Sequence, residues 1–142
     1  LILFGGGLSL AAQISSSGLG IWIGNSLLIL NTVPPIVLIL AVATLIIFLT
    51  EITSNVTTTT TFLPVFGALA IAIGVLPVSL TVPVCLAASC AFMLPVATPP
   101  NAIVYGSNKF TIATMMRAGF ALNIIGILVV TIFAYYFAPL IF

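Results

Sequence analysis

Two short runs concentrate the residues that could do chemistry. The first, T-E-I-T-S-N-V-T-T-T-T-T-F-L-P at positions 50–64, holds Glu51, the only acidic residue, then Thr53, Ser54 and Asn55, then threonines at 57–61. The second, P-V-A-T-P-P-N at 95–101, sets Thr98 and Asn101 among three prolines. Thr and Ser hydroxyls, Asn carbonyls and freed backbone carbonyls together suit a hard cation such as Na⁺. The N–H groups and positive dipole end of a helix start suit an anion. With no His and a single carboxyl, no general acid–base pair or nucleophile–base arrangement exists, so an intramembrane enzyme has no catalytic candidates. Cys85 and Cys90 with one Glu make no convincing metal site and read as small packing residues. The chemistry on offer is binding.

The setting of these residues is a membrane. The chain of 142 residues is 63% hydrophobic and 2% charged, with a mean hydropathy of +1.49, where soluble domains carry roughly 25% charged residues. Glu51, Lys109 and Arg117 alone could not cover a water-exposed surface. The apolar segments are continuous rather than alternating, which argues against a β-barrel. No basic patch invites nucleic acid. The sequence begins inside an apolar stretch with no basic flank, which reads as a C-terminal piece of a longer transporter rather than a signal peptide.

These signals predict an all-α membrane protein: polytopic helices with one re-entrant helical hairpin and one proline-broken helix. Residues 1–33 read as the end of a membrane helix, interrupted by Gly5, Gly6 and Gly7, plus an interfacial arm helix at 19–30 with Trp22. Residues 34–77 read as the hairpin, its tip at 50–56. The first arm, 36–49, is about 21 Å long against roughly 30 Å of hydrocarbon, so it passes the midplane without crossing. Two full spans with a short exposed loop are the alternative. Residues 78–107 read as a discontinuous helix running from 78 to 94 and broken at 95–101, since each proline removes a backbone donor. Such a break is tolerated in a bilayer only where it lines a cavity or is buried in protein. Residues 108–142 read as a cytoplasmic loop at 107–116 and a last transmembrane helix at 118–137. Lys109 and Arg117 on that loop place it inside and the C-terminus outside, with the hairpin entering from the outer face.

Several of these runs carry a resemblance. S-N-V at 54–56 within the first run, C-A-F-M-L-P-V-A-T-P-P-N-A-I at 90–103, L-F-G-G-G-L-S-L at 3–10 and R-A-G-F at 117–120 resemble the divalent anion/sodium symporter (DASS) family. That family includes bacterial and animal carriers of succinate, other C4-dicarboxylates and citrate. The resemblance covers nearly the whole chain in order. It implies the second of two inverted repeats, completed by an N-terminal repeat with its own Ser-Asn-Thr hairpin. It also implies an elevator-like motion, a homodimer and a bacterial inner or plasma membrane location. By the resemblance, Ser54, Asn55 and Thr98 hold the substrate carboxylates, with Val56 and Pro99 beside them. Oxygens around Thr50, Thr53, Asn55, Ala97 and Pro99 would hold one Na⁺. Val56 departs from the bacterial dicarboxylate pattern, which has Thr there, and a valine cannot donate to a carboxylate.

Each residue also has a plainer reading. Ser54 and Asn55 could simply cap the helix that follows. The threonines at 57–61 are expected to face neighbouring helices and bond back to their own backbone. Glu51 is expected to be a structural, paired or protonated carboxyl outside the ligand shell. The expected function is Na⁺-coupled symport of C4-dicarboxylates. The alternatives are a citrate carrier, a carrier of sulfate or another inorganic divalent anion, or a channel built on re-entrant loops.

Overall fold

The computed structural model describes residues 33–137 together with Ser9, Gln13, Ser16, Ser17, Gly18 and Leu140. The expected helix end at 1–14, with its three glycines, and the interfacial helix at 19–30 lie outside the described residues. The described residues form helices and connections without a strand.

Helix α1, Pro35–Thr50, opens where Pro34 and Pro35 supply the fixed φ and missing donor that a first turn tolerates. It is apolar except for Thr44, whose hydroxyl donates back to the Leu40 carbonyl at 2.7 Å. Its 16 residues reach about 24 Å, short of a roughly 30 Å hydrocarbon layer. The chain then turns through a four-residue tip at 51–54. Ser54, extended at φ −77°, ψ 146°, caps α2, Asn55–Ala72, by accepting from Thr57 N–H. At the far end Gly74 takes φ 74°. There Val75 N–H bonds to Ala70 O and Gly74 N–H to Ile71 O, the paired closure that a left-handed residue past a helix end permits.

Helix α3, Val78–Ala88, is the centre of the packing. It lies against α1, α2 and α5, whereas the two arms α1 and α2 touch one another little beyond their shared tip. Ile46, Ile47, Leu80 and Val84 are fully enclosed, and Ala43, Ala87, Ala88 and Ala134 let the backbones approach closely. After an unwound stretch at 89–98 the short α4, Pro99–Gly106, projects from the bundle with no buried residue. Asn108, at φ 58°, turns the chain, and Thr111 caps α5, Ile112–Tyr136. The 25 residues of α5 and the 18 of α2 are long and apolar enough to cross a bilayer.

Two boundaries differ from expectation. The break after α3 begins at Ser89 rather than Pro95, and Pro99 and Pro100 open α4 instead of lying inside the break. The apolar residues at 89–94 could continue a helix, but the N–H groups of Phe92, Met93 and Leu94 go to the Glu51 carboxylate instead of to carbonyls four residues back. Tertiary bonding overrides local propensity. The last helix starts at Ile112, so Arg117 sits within it and the polar connection is shorter than 107–116.

Gly119 of α5 marks the tightest approach. A Cβ there would stand 2.5 Å from Met93 Cα and closer still to the Phe92 carbonyl oxygen. Gly119→Ala in the full-length protein is therefore expected to lower Tm by several degrees, because overpacking against backbone costs about 1–3 kcal/mol. Gly126→Ala, whose added Cβ would find its nearest neighbours at 3.7 Å, should change Tm little. Equal thermal unfolding of the two variants would contradict this packing.

Candidate binding site between the tip and the unwound stretch

The tip and the unwound stretch face each other across a cleft of about 530 Å³. From the tip side come Ser54, Asn55 and Val56, and from the opposite wall Ala97, Thr98 and Pro99. Every residue expected to touch substrate therefore lines one cavity. Thr50 and Thr53 do not reach it directly. Thr50 is fully buried behind Asn55, with Oγ1 2.9 Å from Ala88 O and 3.0 Å from Asn55 Oδ1. Thr53 donates to Leu49 O at 3.0 Å and meets the Thr58 hydroxyl at 2.5 Å. The wall also includes Ser89, Ala91, Phe92, Pro100 and Asn101, to which the sequence assigned no contact with substrate or ion. Asn101 had a signal: it stands three residues after Thr98, the spacing at which a helix cap meets its third N–H.

Several polar groups at the break have partners that explain the geometry. Ala88 O, left free by the end of α3, accepts from Thr50. The carbonyls of Ala91 and Leu94 accept from Asn101 Nδ2 at 3.0 and 3.1 Å. Thr98 Oγ1 accepts from Asn101 N–H at 3.4 Å. Such closure is what buried irregular backbone requires. Three of the five threonines bond back as expected, Thr58, Thr59 and Thr60 donating to the carbonyls of Ser54, Asn55 and Val56, whereas Thr57 and Thr61 are exposed and the Thr57 hydroxyl meets that of Ser54 at 2.7 Å.

Two kinds of binding surface result. Thr50 Oγ1, Asn55 Oδ1 and Ala88 O form a tight group of oxygens around a single hydroxyl proton. Thr50 can donate that proton only once, so a cation is a better third partner than a second acceptor. Without an ion, turning the Asn55 amide over would let it donate to Thr50 and satisfy the group. The second surface is the start of α2. Its cap bonds Thr57 N–H, which leaves the N–H groups of Asn55 and Val56 as the open donors of that end. The start of α4 differs: Pro99 and Pro100 have no N–H, and Asn101 and Ala102 N–H groups return to Thr98. It offers its dipole and the Thr98 hydroxyl but no free backbone donor, so the expected anion-binding N–H groups come from α2 alone.

Glu51 sits behind this wall, 4% exposed. Oε1 accepts from Phe92 N–H at 2.8 Å, Met93 N–H at 2.9 Å and Asn123 Nδ2 at 2.7 Å, and Oε2 from Met93 at 3.1 Å and Leu94 at 3.0 Å. Successive N–H groups wrapped around one carboxylate form an anion nest. Glu51 is thus a structural carboxyl filled by donors, and neither Lys109 nor Arg117 is among its partners. Asn123 of α5 is fully buried, and its Oδ1 has no partner among the described residues, a cost of about 1–3 kcal/mol where none is supplied.

A family model described as the sodium:sulfate symporter transmembrane region matches residues 1–142. A protein named sodium-dependent dicarboxylate transporter SdcS from Staphylococcus saprophyticus is 48% identical over 139 residues, 98% of this chain and 27% of the relative. Proteins of the same name from Staphylococcus aureus are 48% identical over 141 residues, 99% of this chain. The chain spans about a quarter of the length of these curated relatives.

Glu51→Ala would strand four N–H donors, at about 1–3 kcal/mol for each that water does not reach. Folded, monodisperse protein recovered by size exclusion should be nearly absent for Glu51→Ala and intermediate for Glu51→Gln, which keeps one acceptor oxygen. Recovery of Glu51→Ala at the parent level would show that those donors are satisfied some other way.

Proposed function

The chain belongs to the sodium:sulfate symporter family of integral membrane proteins, and from that premise we propose that it forms part of a Na⁺-coupled carrier of C4-dicarboxylates such as succinate, malate and fumarate. The relatives' printed name supports this substrate class. The observation that carries the reading is the tip side of the cleft, where Asn55 lines the cavity with the open N–H groups of a helix start and is backed by the buried oxygens of Thr50 and Ala88. Its volume, about 530 Å³, is within the range of small-molecule sites.

No cationic side chain lines the cleft. A dianion entering it would meet only hydroxyls, amides and dipoles, so its charge has to be balanced by something brought along. Na⁺ held by Thr50, Thr53 and Asn55 on one side, with carbonyls near Ala97 and Pro99 on the other, would supply one of the two positive charges needed. Na⁺ binding would also turn Asn55 so that Oδ1 faces the ion and its NH₂ and backbone N–H face the substrate. Ser54, Asn55 and Thr98 then take the carboxylates, and Val56, 57% exposed to the cleft, shapes the volume beside them. This is the physical basis of coupling: the ion organises the amide that the dianion needs.

The finer architecture belongs to the same proposal. α1 and α2 form a re-entrant hairpin, supported by the short reach of α1. This chain is the second of two inverted repeats, with an N-terminal repeat completing the site. The carrier works as a homodimer in a bacterial inner or plasma membrane by an elevator-like motion, with its C-terminus outside. The family and the names of the relatives support a carrier over an enzyme.

Asn55→Ala in the full-length protein should cut Na⁺-dependent succinate uptake at least about tenfold, a change of roughly 1.4 kcal/mol, while the protein remains in the membrane. Undiminished uptake removes the central assignment. Val56→Thr adds a hydroxyl beside the anion and should lower KM for succinate relative to citrate. Competition of labelled-succinate uptake by malate, citrate and sulfate reads this directly; sulfate as the strongest competitor would favour the inorganic-anion alternative.

A further inference from the structure

Helix α5 meets the unwound stretch twice on one face. Gly119 allows the backbone of Phe92 and Met93 to pass against α5 where no side chain would fit. One turn further on, at the spacing that keeps residues on one face, Asn123 reaches past the same stretch and donates from Nδ2 to Glu51 Oε1 at 2.7 Å. Its orientation is dictated by that contact, since the reversed amide would set oxygen against oxygen. The other end of the amide pays for this, because Oδ1 is buried without a partner among the described residues. Shape alone does not account for such an arrangement: an apolar side chain of similar size would fill the space with no orphaned acceptor.

We propose that Asn123 is a positioning residue for the substrate cleft. By donating to Glu51, it holds the carboxylate against the N–H groups of Phe92, Met93 and Leu94, and so sets the wall that carries Phe92, Ala97 and Thr98. The last helix, which contributes no side chain to the cleft, thereby controls its width and the fit of the dianion. The inference rests on the carrier reading for its effect on uptake, but its geometric content stands apart from it.

Two substitutions of similar size separate a donor from a filler. Asn123→Leu removes the donor, and Asn123→Asp, the closer match in shape, replaces it with an oxygen. In the full-length protein reconstituted in vesicles at about pH 8, where an introduced carboxyl is least able to carry a proton, succinate KM should rise about threefold for Asn123→Leu and about tenfold for Asn123→Asp. Maximal uptake rates should change less, which marks lost positioning of substrate rather than lost protein. If Asn123 only filled space, the order would reverse, with Asn123→Asp the milder; that order, or no change in KM, overturns the proposal. Hydrogen exchange read by mass spectrometry tests the geometry without transport. The amides at 92–94 should exchange at least about tenfold faster in both variants than in the parent, with those of α1 unchanged. Unchanged exchange at 92–94 overturns the proposal even if uptake falls. Should the parent itself take up no succinate, the carrier reading fails, and the exchange result still decides the role of Asn123.

Discussion

The Glu51 carboxylate is the constraint on which the rest of this structure depends. It takes the N–H groups of three successive residues away from helical bonding and so ends α3 at Ala88 rather than letting the apolar run continue. It also joins the tip after α1 to the wall of the cleft. An isolated charge at membrane depth is expensive, and proteins keep one there only when donors or counter-charges surround it. Here the donors are backbone groups that need an acceptor for the same reason. Two liabilities, an unpaired carboxylate and an unwound backbone, cancel each other.

The same pairing explains how an irregular segment survives inside an apolar bundle. Its N–H groups go to Glu51, its carbonyls at Ala91 and Leu94 go to Asn101, and the last carbonyl of α3 goes to Thr50. The tip, the start of α4 and the middle of α5 each supply part of the closure. The cleft is therefore a product of three elements far apart in the chain. Small residues do the complementary work: Gly119 on α5 and the alanines of α1 and α3 bring the backbones near enough for these short side chains to reach.

Much of this was legible in the residues themselves. The tip was legible because polar groups between apolar stretches must be satisfied by something, and two helix starts because Pro34–Pro35 and Ser54 are helix-opening chemistry; Thr98, read as part of the break, proved to be a third cap. The threonines at 58–60 bond back to the backbone as their type suggests. The start of the break was not legible. The prolines at 95, 99 and 100 drew attention to the wrong place, since two of them begin a helix, while the actual cause is a carboxylate 41 residues or more away. Asn123 was equally hidden. It is 72 residues from Glu51, and within α5 nothing local separates it from a polar residue facing another helix. Local propensity speaks about neighbours within a turn; both missed features are long-range bonds.

The two helix starts at the cleft look alike in sequence and differ in what they can give. Each has a hydroxyl cap, Ser54 or Thr98, and each aims a positive dipole end at the cavity. Only α2 retains open N–H groups, because proline fills the first two positions of α4. A dianion has two carboxylates to satisfy, so the α4 side has to rely on the Thr98 hydroxyl and on charge supplied from elsewhere. The oxygens facing it across the cleft attract a cation rather than repel one. A site with an anion-binding end on one helix and only a dipole on the other is incomplete for a dianion alone, and becomes complete when a cation settles between them. In the proposed carrier, this asymmetry of proline placement would make the ion a condition of substrate binding rather than an accessory to it.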